Sequence, residues 1–317
     1  MLEAASKSVP WLLGSIEEGW EWFAFTFNDQ DQLKLTKEEI EKMVIASDPV
    51  TKQAYSRMLL DNEHKWSTHT KSEVDFILNR CGLVVGQRVL DVGCGLGRHA
   101  MELAKRGMQV TGIDYIPKFI ERAKLNASQE GLETVEFVDG DCRNADFATN
   151  NYDAVICLYD VVGTFVDEKE NSKILRNIAR SLGSEGAAII SVMNYELTRH
   201  NAKYLFSFEE EPNRLLELEP AGIMEKTGDI FDPNYYIVDE QTHVVYRKEQ
   251  FTFGNELPTE LIVRDKRYSK PEIVNLCEDA GLSVQWAKYV RAGKWGDSLE
   301  PVESSAKEIM VFCKKKA

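Results

Sequence analysis

The sequence of 317 residues predicts an α/β fold: a parallel sheet with helices packed on both of its faces. Three observations predict it. Apolar strand-like segments alternate with helix-like ones from residue 88 to residue 193, the pattern of strand–helix–strand units. The strands read as near-continuous apolar runs, as in a sheet covered on both sides. Finally, the first strand, Arg88–Val92, stops abruptly at Gly93-Cys94-Gly95-Leu96-Gly97, and helix-favouring residues follow at once. Such a strand–turn–helix junction needs glycine where the chain turns sharply, and it leaves free N–H groups at a helix start. Taken alone, the glycines serve equally well as turn geometry or as a ligand loop.

The elements follow in order. Leu12, Ile16, Trp20 and Phe23 form one apolar helix face near the N-terminus, fitted to pack on the main domain, to close over a site or to contact a second copy. Thr36 with Glu39 forms a capping box for a helix carrying Ile40, Met43 and Val44. Asp48-Pro49 predicts the start of a separate helix, and Thr70 with Glu73 predicts another capping box. The core then runs as strand 88–92, helix 97–106, strand 109–113, a helix from Pro117 to Gly131, strand 135–138, strand 152–158, helix 168–182 and strand 187–193. Short strands near 235–238, 243–247 and 260–263, joined by turns such as Asp232-Pro233-Asn234, predict an inserted antiparallel patch. A helix capped by Ser269 and Glu272 and strands 282–290 and 308–313 resume the α/β rhythm. The expected division is 1–68 as an N-terminal helical layer, 69–193 as the core, 194–268 as the insert and 269–317 as the rest of the core.

Composition bounds the function. A hydrophobic content of 43% with 28% charged residues is that of a globular protein with an ample core. No stretch reads as a membrane span or a secretory signal. Six cysteines and five histidines lie scattered, without a Cys-x-x-Cys pair, so neither a disulfide framework nor a metal site is expected and the cytoplasm is the default compartment. A net charge of −14 opposes binding to a phosphate backbone, so no nucleic-acid partner is expected.

The strand ends carry the chemistry. Asp91 lies before the glycine loop, Asp114 ends the second strand, and Asp141 follows the third. A carboxylate at the end of the second strand suits the two hydroxyls of a ribose, and one after the third suits an adenine amino group. In a dinucleotide loop of the form Gly-x-Gly-x-x-Gly the third glycine falls on position 98, which is Arg98, and this disfavours an NAD-dependent oxidoreductase. The runs Leu90-Asp91-Val92-Gly93-Cys94-Gly95-Leu96-Gly97-Arg98-His99, Val110-Thr111-Gly112-Ile113-Asp114, Gly140-Asp141-Cys142 and Tyr152-Asp153-Ala154-Val155-Ile156 resemble the motifs of class I S-adenosylmethionine (SAM)-dependent methyltransferases. The resemblance is close over 68–193 and looser over 268–315. It implies a Rossmann-like seven-stranded sheet ending in an antiparallel hairpin, and SAM as cofactor. It also implies that Asp91, Gly93, Cys94, Gly95, Gly97 and Arg98 serve the methionine end, Asp114 the ribose, Tyr115 the adenine edge and Asp141 with Cys142 the adenine, while Leu158 and Tyr159 border the sulfonium. Where many relatives carry Asp-x-Ser after the second strand, this chain reads Asp114-Tyr115-Ile116-Pro117.

The insert resembles that of methyltransferases acting on small molecules, so the expected acceptor is a small molecule offering an N, O or C nucleophile. RNA or protein methylation, and a non-catalytic SAM-binding subunit, stand as alternatives. Candidate proton acceptors are Asp160, Tyr195, His200 and His243, against plain roles as turn cap, cavity wall or surface histidines. Trp66, Tyr159, Tyr195 and His200 are expected on the substrate side, and Trp66 and Trp295 suit either core packing or an aromatic wall for an ammonium group. A homodimer contact through the aromatic N-terminus stands as one use of that segment, beside packing on the main domain and closing over a site.

Overall fold

The glycine turn falls where the alternation places it, and a seven-stranded sheet forms around it. The structure is a computed structural model that describes residues 35–61, 68–144, 151–221, 230–252, 254 and 259–316. The expected N-terminal helix face (Leu12 to Phe23) and Trp66 lie outside the described residues. The described residues fall into two compact units, one holding 35–55 and 201–264 and the other 56–200 and 265–316.

The larger unit is the α/β layer. Strands β1 (Arg88–Val92), β2 (Gln109–Asp114), β3 (Val135–Asp139), β4 (Tyr152–Cys157) and β5 (Leu182–Met193) pair in parallel in the order 3-2-1-4-5. Numbering the last two strands by their place in the chain, β11 (Glu308–Lys315) pairs antiparallel with β5, and β10 (Leu282–Val290) antiparallel with β11. One face of the sheet buries Leu90, Val92 and Ile190 against Ile174, Leu175 and Ile178 of a helix at Glu168–Ser181 and Ile273 and Leu276 of a helix at Lys270–Asp279. The other buries Val89, Ile156 and Ile189 against helices at Thr70–Cys81, Arg98–Lys105 and Pro117–Gln129. In chain order these helices are α2 (70–81), α3 (98–105), α4 (117–129), α5 (168–181) and α7 (270–279), with a short α6 at Tyr195–Asn201.

The smaller unit carries a four-stranded sheet in the order β6 (Leu205–Phe206), β7 (Tyr236–Asp239), β8 (Val244–Phe251), β9 (Thr259–Lys266). The patch is not wholly antiparallel as expected. β7 and β8 form an antiparallel hairpin, but β6 joins β7 in parallel after the intervening 3₁₀ turn Pro212–Glu217 and loop. Within the same unit Asp48 pairs with Arg264 at 2.9 Å, and the Tyr55 and Phe251 rings meet edge to face at 5.2 Å.

Two expectations about helix ends are corrected. Asp48-Pro49 starts no helix: α1 runs unbroken from Lys37 to Asp61 with Pro49 inside it. Its Thr36–Glu39 capping box does form, and the Ser47 hydroxyl bonds the Met43 carbonyl at 2.9 Å in the turn before the proline. Thr70 and Glu73 form no capping box either. His69 caps α2 without a side-chain bond, because both expected partners are engaged elsewhere.

Candidate active site

Geometry at the sheet's carboxyl edge begins with the glycine loop. The N–H groups of Gly93 and Cys94 both donate to the Ile113 carbonyl (2.8 and 3.0 Å), which ties the loop to the end of β2. Gly93, Gly95 and Gly97 all have positive φ. A Cβ on Gly93 would come within 2.4 Å of Val161, and one on Gly97 within 2.5 Å of the Phe137 ring, whereas the space above Gly95 is open. Glycine is thus required at the first and third positions by packing as well as by φ, and at the second by φ and by the room it leaves.

Asp114 is nearly buried and holds the loop in place. One carboxylate oxygen accepts from Gly95 N–H at 2.9 Å and the other from Ile116 N–H at 3.0 Å. Burial raises its pKa, and these backbone bonds oppose the shift. A small open cleft lies beside it, lined by Gly93, Asp114, Tyr115, Asp141 and Cys142, with Val161, Thr164 and Phe165 as the facing wall. Five of the residues expected to bind a cofactor therefore share one cleft. The facing wall was missed because its residues fill the turn after β4, where no motif marks them. Arg143 was also missed. It grips Asp141 through its side chain at 2.6–3.0 Å, bonds Glu170 at 2.7 Å and lies 4.2 Å over the Phe165 ring, bracing the far end of the cleft.

Asp91 sits buried at the end of β1 with its Oδ2 lacking any hydrogen-bond partner. Burial pushes its carboxyl up to about 7, although Arg98 pulls the other way. Cys94 is packed in the core face beside Gly112, and Leu158 is buried in the same cluster, so these two expected cofactor residues do not line the cleft.

Arg98 and Tyr159 belong to a network centred on Glu73. The buried Glu73 carboxylate accepts from Arg98 (2.6 Å) and His99 (2.8 Å) at one oxygen, and from the Tyr159 hydroxyl (2.8 Å) and Gly293 N–H (3.2 Å) at the other. Arg98 also donates to Thr70 at 3.0 Å and to the Tyr159 hydroxyl at 2.6 Å. Burial alone would raise the Glu73 pKa, but the bonds from His99 and Arg98 hold it at about 2. Burial takes His99 down to about 4, so at neutral pH a neutral imidazole donates to Glu73. One carboxylate thus fastens α2, the start of α3, the end of β4 and the loop after β10. Its only sequence signal was an acid facing inward on an apolar helix face beside Val74 and Ile77.

The remaining candidates are dispersed. Asp160 follows Tyr159 at the carboxyl edge and is exposed. Tyr195 is buried at the start of α6, directly after β5, with its N–H on the Tyr268 carbonyl. His200 lies exposed at the end of α6. His243 belongs to the smaller unit, where it takes φ +57° in the turn between β7 and β8 and bonds Asp239. Among the described residues no group of three or more His, Cys, Asp or Glu could hold a metal ion, and no helix is long and apolar enough to cross a membrane.

A methyltransferase-domain family profile matches residues 89–186, which span β1 to the start of β5. Residues 89–186 are thus a methyltransferase domain. Its sequence is similar to a glycine/sarcosine N-methyltransferase of Halorhodospira halochloris, 32% identical over 133 residues that make up 41% of this chain and 49% of that one. It is also similar to a ubiquinone biosynthesis O-methyltransferase of Vibrio cholerae, 28% identical over 149 residues, 47% of this chain and 57% of that one. The chain thus spans about half the length of these relatives. The methyltransferase fold recurs in CcbJ of Streptomyces caelestis (TM-score 0.57, 14% identity, 78% of this chain and 90% of that one). It recurs also in a SAM-dependent methyltransferase of Clostridium acetobutylicum (TM-score 0.55, 15% identity, 87% and 99%).

The methyltransferase domain's cofactor is SAM, and the residues present fit it. A buried oxygen of Asp91 awaits a donor, the space above Gly95 is open to a close approach, and the cleft beside Asp114 offers acceptors at one end and an apolar wall opposite.

Proposed function

We propose that the whole protein is a cytoplasmic methyltransferase that carries the SAM methyl group to a small-molecule acceptor. The convergence of Gly93, Asp114, Tyr115, Asp141 and Cys142 on one cleft, next to the unpartnered Asp91 oxygen, is the observation that carries this reading. The named relatives, which act on glycine or sarcosine and in ubiquinone synthesis, favour a small acceptor, and the net charge of −14 disfavours a nucleic acid.

Bound SAM supplies a methyl group that is already strongly electrophilic. The chain's own residues bind, orient and exclude water. Asp91 takes the methionine ammonium, Asp114 the ribose hydroxyls and Asp141 the adenine amino group, with Tyr115 along the adenine edge. Val161 and Phe165 cover the apolar side. Holding the acceptor in line contributes up to ~7–11 kcal/mol of barrier lowering, and Asp160 and Tyr195 flank the edge where a proton must leave.

The test is thermal stabilisation of the full chain by S-adenosylhomocysteine (SAH) against NAD. Stabilisation by SAH alone is expected, and stabilisation by NAD alone would sink the reading. Labelled methyl from SAM should then enter a small-molecule fraction. Entry into RNA or protein fractions instead would replace the proposed acceptor.

A further inference from the structure

Besides the Asp91 oxygen, a buried acceptor and a buried donor at the carboxyl edge are left unsatisfied by the network around Glu73. Glu308 opens β11, in register with Met193 at the end of β5 and Val290 at the end of β10, and its Oε2 is buried without a hydrogen-bond partner. The indole N–H of Trp295 is likewise buried and unpartnered. A buried polar atom left without a partner costs about 1–3 kcal/mol, so a donor and an acceptor left open in one region call for a reason.

Both border the same residue. Tyr159 donates its N–H to Ser191 Oγ at 2.5 Å, and Ser191 in turn hydrogen-bonds Glu308. The Tyr159 ring lies 6.4 Å from that of Trp295 and 6.3 Å from that of His99, and His99 and Trp295 are stacked at 6.1 Å. Tyr159 also holds φ +66°, a left-handed conformation that costs a non-glycine residue about 1–3 kcal/mol and collects at functional sites. The charged groups acting on Glu308 are Glu73, Arg98 and Asp160, so the neighbourhood has three carboxyls and one guanidinium. A ligand cation offsets that excess of carboxyls, and a wall of aromatic rings favours one of the ammonium type.

Building on the methyltransferase reading, we propose that the acceptor is a small primary or secondary amine whose nitrogen is held by Glu308 Oε2 beside the Tyr159 and Trp295 rings. The Trp295 N–H meets an oxygen of the same molecule. The ammonium proton passes to the Glu308 carboxylate, freeing the nitrogen lone pair. That pair forms the new N–CH₃ bond while the S–CH₃ bonding pair departs with sulfur, and the product leaves as the methylated ammonium. Glu308 suits this exchange, since burial raises its carboxyl to about 8, toward the range of amines.

The experiment supplies labelled SAM and the full chain with two pools. One holds the standard amino acids, ethanolamine and tyramine, and the other phenol, catechol, benzoate and fatty acids. Label is expected in the amine pool alone, falling at least tenfold in Glu308→Gln while SAH affinity, read by calorimetry, stays within about threefold. Label in the second pool only, no label in any amine although SAH binds, or a Glu308→Gln protein as active as the parent would each overturn the amine assignment. Should that variant lose SAH binding, the pool result with the parent protein still decides. If the parent itself fails to bind SAH, the methyltransferase reading fails first, and this inference fails with it.

Discussion

Cofactor affinity should depend on pH through Asp91. Its carboxyl is buried with one oxygen unpartnered and is raised to about 7, with Arg98 drawing it down and Asp114 pushing it up. A ligand ammonium placed against that oxygen favours the ionised form, so binding must expel whatever proton the carboxyl holds. With a free pKa near 7, roughly a tenth of the molecules are ionised at pH 6 and about nine-tenths at pH 8, so the association constant for SAH should rise about tenfold across that range. Titration calorimetry in buffers of different ionisation enthalpy reads the same event directly: about half a proton should be released per site at pH 7. Asp91→Asn should bind SAH more weakly at pH 8 and show no slope. A flat profile in the parent protein, or an unchanged slope in Asp91→Asn, would refute the assignment of this acid to the ligand.

Removing the Glu73 hub with Glu73→Ala leaves Arg98 and His99 without their buried acceptor, and breaking a buried pair costs ~3–5 kcal/mol. At roughly 2–4 °C per kcal/mol for a domain of this size, Tm should fall by about 6–20 °C, and a fall under 2 °C would show the network to be marginal. Gly97→Ala places a Cβ 2.5 Å from the Phe137 ring at φ +78°, so a loss of at least ~1–3 kcal/mol is expected in chemical denaturation, and wild-type stability would contradict the packing described. Glu308 gives a stability profile of its own. Burial raises its folded pKa to about 8, so the unfolded chain has released a proton that the folded one still holds above the ordinary carboxylate range. Its contribution is full at low pH and is lost as pH rises toward 8. Melting the ligand-free protein from pH 5 to pH 9 should show Glu308→Gln losing less stability than the parent, and parallel curves would count against it.

Most of the larger unit was legible because its signals are local. β1 and β10 lie where the apolar runs put them, and the Ser269–Glu272 capping box forms as spaced. Acids at strand ends reach the ligand side by the sheet's own geometry, so Asp114 and Asp141 could be placed without tertiary information. The failures have a common cause, in that tertiary contacts outweighed a local signal. Asp48-Pro49 is a sound helix start in isolation, yet α1 continues through it with Met43 and Val44 before the proline and Ala54 and Met58 after it buried, and burial of that face exceeds one lost backbone bond. Thr70 and Glu73 have capping-box spacing, yet Arg98 and His99, some 25 residues later, claim the carboxylate. No spacing rule reaches across that gap.

The carboxyl edge thus holds acids of two kinds, and their partners separate them. Glu73 has four donors and is held at about 2; it is ionised at any working pH and its work is mechanical, fixing Tyr159 and the loop. Asp91 and Glu308 each keep an oxygen without a donor, and burial raises both into the neutral range. A fold that needed them only for packing would be more stable with apolar residues of similar volume there. Their place at the ligand edge makes sense if cations arrive at both positions, the cofactor's ammonium at Asp91 and the acceptor's at Glu308. Each acid then completes its hydrogen bonding only when its ligand is bound, and proton exchange at these two carboxyls becomes part of ligand recognition itself.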